Sequence, residues 1–167
     1  MLLQSALICL AMNIYHEARS EPIAGRVAVA EVTLNRVESK YYPNDICGVV
    51  YQKGKKSCAF SWTCDNISDT PHEKKEFDSA IRLARMVMLN AGNVRAVGKN
   101  VTHYHHKSIK PYWLTDVKEV KELVATSFIK ENSYNIHSNM LYCVWQYPRT
   151  VVLPPTPPLT QGGFLYE

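Results

Sequence analysis

Residues 13–22 read NIYHEARSEP, and the fold turns on the helix that ends there. Upstream, Leu3, Leu7, Leu10 and Ile14 recur at the spacing of one helix face, and Glu17 falls next on the same stripe. The spacing predicts a helix over 3–19 with a carboxylate on its apolar side. A second helix starts near Pro22, a residue tolerated in a first turn, and continues through IAGRVAVAEVTLNRVES. Ile23, Val27, Ala30, Leu34 and Val37 share one of its faces, and the small residues Ala24, Gly25, Ala28 and Ala30 let the two helices pack closely.

Beyond this pair, residues 40–69 mix Pro, Gly, Asn and Asp with aromatics and read as a long ordered loop region with short strands. Irregular stretches of that length inside a compact domain commonly carry function. TPHE (70–73) reads as a helix start, with Thr70 as N-cap, Pro71 next and Glu73 closing a capping box. Phe77, Ile81, Ala84 and Met88 mark that helix's inner face, and NAGN ends it at Gly92. VTHYHH (101–106) reads as a short strand, and 116–130 as a further helix with Val117, Val120, Val124 and Phe128 inward. Pro148, Pro154, Pro155, Pro157 and Pro158 forbid regular structure in the tail. The expected architecture is α+β, mostly helical, with a small β element and long ordered loops. It divides into one domain over 1–147 and a Pro-rich tail over 148–167.

At 167 residues the chain is long enough to bury a core as a single domain. No apolar run reaches the roughly 18 residues that span a bilayer, so membrane insertion is not expected. The net charge of +4 suits an anionic polymer, although plain solubility is the better account of charge alone. Only KGKK (53–56) and EKKE (73–76) cluster lysines, so a nucleic-acid partner is not expected. The first residues, MLLQSALICLAMN, lack a basic leader and belong to the helix that carries Glu17, so no export signal is expected. Five cysteines contain no C-x-x-C, which disfavours a zinc ribbon. Buried free thiols are expected, with a Cys47–Cys58 or Cys58–Cys64 bridge as the alternative for a protein working outside the cell.

Desolvation favours the neutral form of a carboxyl group such as Glu17 and raises its pKa. A carboxyl that keeps its proton near neutral pH serves as a general acid, the group that glycosidic cleavage requires. The competing reading is a structural glutamate paired with Arg19, Arg26 or Arg36. His103, His105 and His106 cluster near one another, but Ser20 leaves the H-E-x-x-H pattern at His16 incomplete and no paired acids lie nearby. No metal or other cofactor is therefore expected. Tyr41, Tyr42, Tyr51, Phe60, Trp62, Tyr104, Tyr112 and Trp113 crowd the loop segments, where flat rings suit sugars as well as core packing.

CLAMNIYHEARSEPIAGRVAVAEVTLNRV (9–37), CGVVYQ (47–52), CAFSWTCD (58–65) and THYHHKSIKPYW (102–113), in that order, resemble the spore-cortex-lytic (SleB-like) family of cell wall hydrolases. The resemblance implies a lysozyme-like fold acting on peptidoglycan glycan strands, at the cell wall or spore cortex; a monomer is expected. It implies that Glu17 is the catalytic acid and that Gln52, Phe60, Ser61, Trp62, Thr102, Tyr104 and His105 line the glycan groove, with Tyr15, His16 and Trp113 beside it. Ser20 departs from the family's usual glycine, where a left-handed helix cap would cost serine up to about 1 kcal/mol. HKS (106–108) also departs, and IHSNMLY (136–142) places Asn139 where the family carries a histidine.

A hydrolase of lysozyme type needs a second carboxylate, for which Glu21, Glu31, Asp45 and Asp65 are the candidates. A lytic transglycosylase needs only one, because the substrate's own 6-hydroxyl attacks intramolecularly. The resemblance implies the latter. The alternatives are a muramidase-type hydrolase and a metal-dependent amidase cutting the peptide stem.

Overall fold

The structure, a computed structural model, describes residues 2–54, 57–106, 118–123 and 126–130. The elements are α1 (Leu2–Ala18), α2 (Ile23–Glu38), α3 (Ile46–Val50), a 3-10 turn (Ser61–Cys64), α4 (Lys74–Leu89), β1 (Val101–His106), β2 (Lys118–Leu123) and β3 (Thr126–Lys130). The fold is mostly helical among the described residues, with one small sheet. Among the described residues no helix is long and apolar enough to cross a membrane.

Two apolar clusters meet along α1 and α2. Leu10, Ala11, Ile14 and Tyr15 of α1 join Val27 and Ala30 of α2 and Ala80, Leu83, Ala84 and Val87 of α4. Ala18, Ala28, Val29 and Val32 pack instead with α3, the segment around Phe60 and Trp62, and the start of β1. The second helix therefore buries far more than one stripe, with Val27 through Thr33 all enclosed. Ile23 is 62% exposed and Ala24 is exposed too, because the first turn of α2 projects beyond both clusters. Ser20 does not take the left-handed cap geometry, which among the described non-glycine residues only Asn66 and Asn100 adopt.

Several expectations fail for identifiable reasons. The long loop over 40–69 contains α3, capped by Asp45 accepting from the Gly48 N–H at 2.7 Å, and the 3-10 turn. The helix after TPHE starts three residues late, at Lys74. Glu73 is drawn outward, its N–H donating to the Tyr15 hydroxyl at 3.2 Å and its carboxylate pairing with Arg19 Nε at 3.2 Å. The Thr70 hydroxyl meanwhile takes a hydrogen bond from Ser68, so no capping box forms. The same helix ends at Leu89, where Asn90 caps it by donating to the Met86 carbonyl.

Within the stretch expected to be a helix over 116–130, Lys118–Leu123 and Thr126–Lys130 are instead the antiparallel strands β2 and β3. β3 is the central strand, antiparallel to both β1 and β2, and its Thr126, Phe128 and Ile129 are residue types that favour strands. Lining up against β1 satisfies backbone groups that a lone strand would leave open. Residues 107–117 and the 148–167 tail lie outside the described residues.

Free thiols are also overturned. Cys9 bridges Cys47 and Cys58 bridges Cys64, with Cα separations of 5.3 and 6.3 Å. Spacing in the loops indicated the second pair as an alternative, but the first joins α1 to the short helix α3 that tertiary packing brings to it. Cys143 lies outside the described residues. The Cys9–Cys47 bridge ties α1 to α3 across a separation of 38 residues, against 6 for the other. Loop-closure entropy then makes it worth about 4 kcal/mol against about 2 kcal/mol. In urea titrations, the Cys9→Ala/Cys47→Ala double variant is expected to lose roughly twice the unfolding free energy lost by Cys58→Ala/Cys64→Ala.

Candidate active site

Glu17 occupies the last turn of α1 with 3% of its surface exposed. Its partner comes from β1, where the Tyr104 hydroxyl donates to Glu17 Oε2 at 2.9 Å. Burial pushes the Glu17 carboxyl up to about 7, against the opposing pull of the Tyr104 hydrogen bond and of the Arg36 positive charge. The C-terminal end of a helix, where partial negative charge collects, disfavours a carboxylate in the same sense as burial. A donor fixed on Oε2 leaves Oε1 to carry the acid's proton.

Three α2 residues at i, i+4 and i+5 hold the strand that brings Tyr104 here. Glu31 Oε2 accepts from the Ala96 and Val97 N–H groups at 2.6 and 2.9 Å, and Oε1 from Gly98 N–H at 2.9 Å and Arg95 at 3.2 Å. Asn35 Nδ2 donates to the Gly98 and Val101 carbonyls at 3.0 and 2.9 Å. The buried Arg36 donates from Nε to the Thr102 carbonyl at 2.8 Å, its guanidinium lying over the rings of Phe60 and Tyr42. The register slips between Val101 and His103, so Thr102 is the bulged residue of β1.

One turn before Glu17, the buried Asn13 anchors the aromatic segment. Its Oδ1 accepts from Trp62 Nε1 at 3.1 Å, and its Nδ2 donates to Thr33 Oγ1 at 3.1 Å. Trp62 stacks on His16 with ring centroids 4.4 Å apart, and the exposed Tyr51 meets it edge-on at 5.7 Å. His16 Nε2 lies 3.0 Å from the Asp69 carbonyl.

The residues expected to line a groove divide. Tyr104 adjoins Glu17 directly. Phe60 is fully enclosed and Trp62 and Thr102 nearly so, so they build the floor beneath the site rather than its surface. Tyr15 turns to the other side of α1, packs on Phe77 and Arg19, and belongs to the cluster with α4. Ser61 is exposed, and His105 is buried on β1. Gln52 is half-buried, and its Oε1 is shielded from water with no hydrogen-bond donor among the described residues. Trp113 lies outside the described residues. No three His, Cys, Asp or Glu side chains converge in a metal-binding arrangement among the described residues.

Three of the four possible second carboxylates are engaged elsewhere. Glu31 carries the donors above, Asp45 caps α3, and Asp65 accepts from the Ile67 N–H in a turn. Glu21, half-buried, stands in the turn before α2, where its backbone N–H donates to the Ala18 carbonyl at 3.0 Å. Sequence reasoning missed Asn13 and the roles of Asn35 and Arg36. Their signal was polarity inside otherwise apolar helical stretches, the same signal that singled out Glu17.

A mostly helical, lysozyme-like domain with one enclosed, proton-holding glutamate is thus the class that fold and site define. This chain belongs to the Cell Wall Hydrolase family, whose profile matches residues 20–129, just beyond Glu17. Spore cortex-lytic enzymes are similar to it. That of Halalkalibacterium halodurans is 31% identical over 116 residues, covering 68% of this chain and 31% of the relative. That of Bacillus cereus is 30% identical over 129 residues, covering 76% and 45%. The matches thus span less than half the length of these relatives. Among solved structures, the catalytic domain of the Bacillus cereus SleB protein superposes with a TM-score of 0.52 at 28% identity, covering 76% of this chain and 91% of that one. The catalytic domain of the germination-specific lytic transglycosylase SleB from Bacillus anthracis gives 0.57 at 28% identity, covering 76% and 95%.

Burial of Glu17 has a measurable thermodynamic consequence. The folded chain holds a proton there up to about pH 7, whereas an unperturbed glutamate releases it near 4.5. The folded state binds more protons across that window, so this group's contribution to stability falls as pH rises through it. Glu17→Gln removes the titration. Between about pH 4 and pH 8 the variant is expected to gain on the wild type by on the order of 3 kcal/mol in denaturant titrations.

Proposed function

We propose that this protein cleaves peptidoglycan glycan strands as a lytic transglycosylase, with Glu17 acting first as acid and then as base. The observation that carries the reading is the enclosed Glu17 carboxyl, pushed up to about 7 and held through Oε2 by Tyr104. An acid that must both give and regain a proton works best with a pKa near the operating pH.

Protonated Glu17 donates from Oε1 to the glycosidic oxygen between C1 of N-acetylmuramic acid and O4 of N-acetylglucosamine. The C1–O bond breaks, and the bonding pair leaves with the oxygen as the new 4-hydroxyl of N-acetylglucosamine. The cationic C1 is then attacked by the muramic acid's 6-hydroxyl oxygen, whose proton passes to the Glu17 carboxylate. The product is a 1,6-anhydro ring, water is not consumed, and the enzyme returns to its protonated form. Arg36 and the Tyr104 hydroxyl stabilise the carboxylate in the interval between the two proton transfers.

The employment of Glu31, Asp45 and Asp65 in backbone hydrogen bonds supports a mechanism without a second carboxylate. So does the likeness to a SleB catalytic domain that is itself a lytic transglycosylase. On this reading Gln52 Oε1 accepts from a sugar hydroxyl, Ser61 and Trp113 complete the contacts to the strand, and His105, as enclosed as Trp62, supports the floor. Two disulfides suit work at the cell wall or spore cortex, outside the reducing cytoplasm.

Mass spectrometry of muropeptides released from purified peptidoglycan tests the proposal. The wild type is expected to yield products one water lighter than hydrolytic ones, and Glu17→Gln to release them more slowly by on the order of a thousandfold. Activity that survives Glu17→Gln would sink the mechanism.

A further inference from the structure

Glu31 is a buried charge that the mechanism does not use. A carboxylate brought to 2% exposure is costly unless it is fully bonded, and this one accepts three consecutive backbone N–H groups and a guanidinium. Every one of those donors lies in residues 95–98, the approach to β1. Asn35 and Arg36, the next residues on that buried side of α2, take the carbonyls of Gly98, Val101 and Thr102. The chain from Arg95 to Thr102 is thus gripped on both its N–H and C=O groups by one helix, and Tyr104 follows two residues later.

We propose that Glu31 is a positioning residue for the catalytic acid: by anchoring 95–98 on α2 it fixes where β1 places the Tyr104 hydroxyl against Glu17. The proposal rests on Glu17 being the acid of the reading above. Bulging at Thr102 makes the placement dependent on this anchor, because a bulge leaves the local direction of a strand to its surroundings. Arg36 shares the load, since the carbonyl it holds belongs to the bulged residue.

The groups facing Glu17 are Tyr104 of β1 and Arg36 of α2, both of which favour its charged form. His103 and His105 flank Tyr104 along β1, and His16 beside Glu17 is turned onto Trp62. From α3 the only ionisable side chain is Cys47, which is in a disulfide. Exchanging Glu31 for glutamine removes a negative charge, which by itself would ease deprotonation of Glu17 and lower its midpoint. Loosening Tyr104 acts in the opposite sense and raises it. The direction of the shift therefore separates the two effects.

The test is the Glu17 titration in the substrate-free protein, followed by carboxyl carbon NMR and assigned with Glu17→Gln, so that it stands apart from whether glycan is cleaved. Glu31→Gln is expected to raise the midpoint by about half a pH unit or more. Glutamine presents an NH₂ to backbone donors and so breaks the anchor while keeping its size. Arg95→Met, at a side chain 25% exposed, is expected to produce a smaller upward shift and remains readable should Glu31→Gln not fold. Added to Tyr104→Phe, which raises the midpoint alone, Glu31→Gln is expected to add no further rise and to leave only the small lowering that its lost charge produces. A midpoint unmoved or lowered in folded Glu31→Gln, or unmoved in Arg95→Met, would overturn the proposal, leaving Glu31 a purely structural anchor.

Discussion

The hydrogen bond from the Tyr104 hydroxyl to Glu17 Oε2, made in the interior where a helix end meets a strand, is the interaction on which the rest of this site depends. A fully buried carboxyl without partners has its pKa raised by several units, too far to release a proton readily at neutral pH. A solvated one gives up its proton too early. Here burial pulls one way while Tyr104 and Arg36 pull the other, and the carboxyl comes to rest at about 7. That balance requires three elements, α1, α2 and β1, to meet in one place.

The fold is arranged to make that meeting rigid. α2 lies in both apolar clusters and reaches β1 through Glu31, Asn35 and Arg36. α1 is fastened to α3 by Cys9–Cys47 and to the 3-10 turn by the Asn13–Trp62 hydrogen bond one turn before Glu17. Buried polar groups of this kind are expensive when half satisfied, and these are bonded in series, Trp62 to Asn13 to Thr33 to the Val29 carbonyl. Apolar packing provides the dry surroundings, and the polar contacts determine which groups face one another inside them.

What could be read in the sequence follows from range. The first two helices were legible because their apolar period is local, and Glu17 stood out because it interrupts that period with a charge. Tyr104, 87 residues away, is brought to Glu17 by tertiary packing that no local pattern encodes. Strands β2 and β3 were misread because Val117, Val120 and Val124 repeat at helical spacing, whereas pairing with β1 makes the strand the better use of the β-branched residues of β3. The capping box at Thr70 lost Glu73 to Tyr15 and Arg19 on another helix. Aromatics in loops pointed to the site but not to a layer within it: Phe60 and Trp62 became its floor, and Tyr15 faced α4.

The central claim is that the substrate's own hydroxyl, rather than water, attacks the anomeric carbon once Glu17 has given up its proton. Digesting peptidoglycan in water enriched with heavy oxygen tests this most directly, because every hydrolytic event must leave a solvent oxygen on the new reducing end. The account predicts anhydro ends free of solvent oxygen throughout the digest. Labelled reducing ends as the primary product would contradict it and assign the attack to water, with a second carboxylate to activate it.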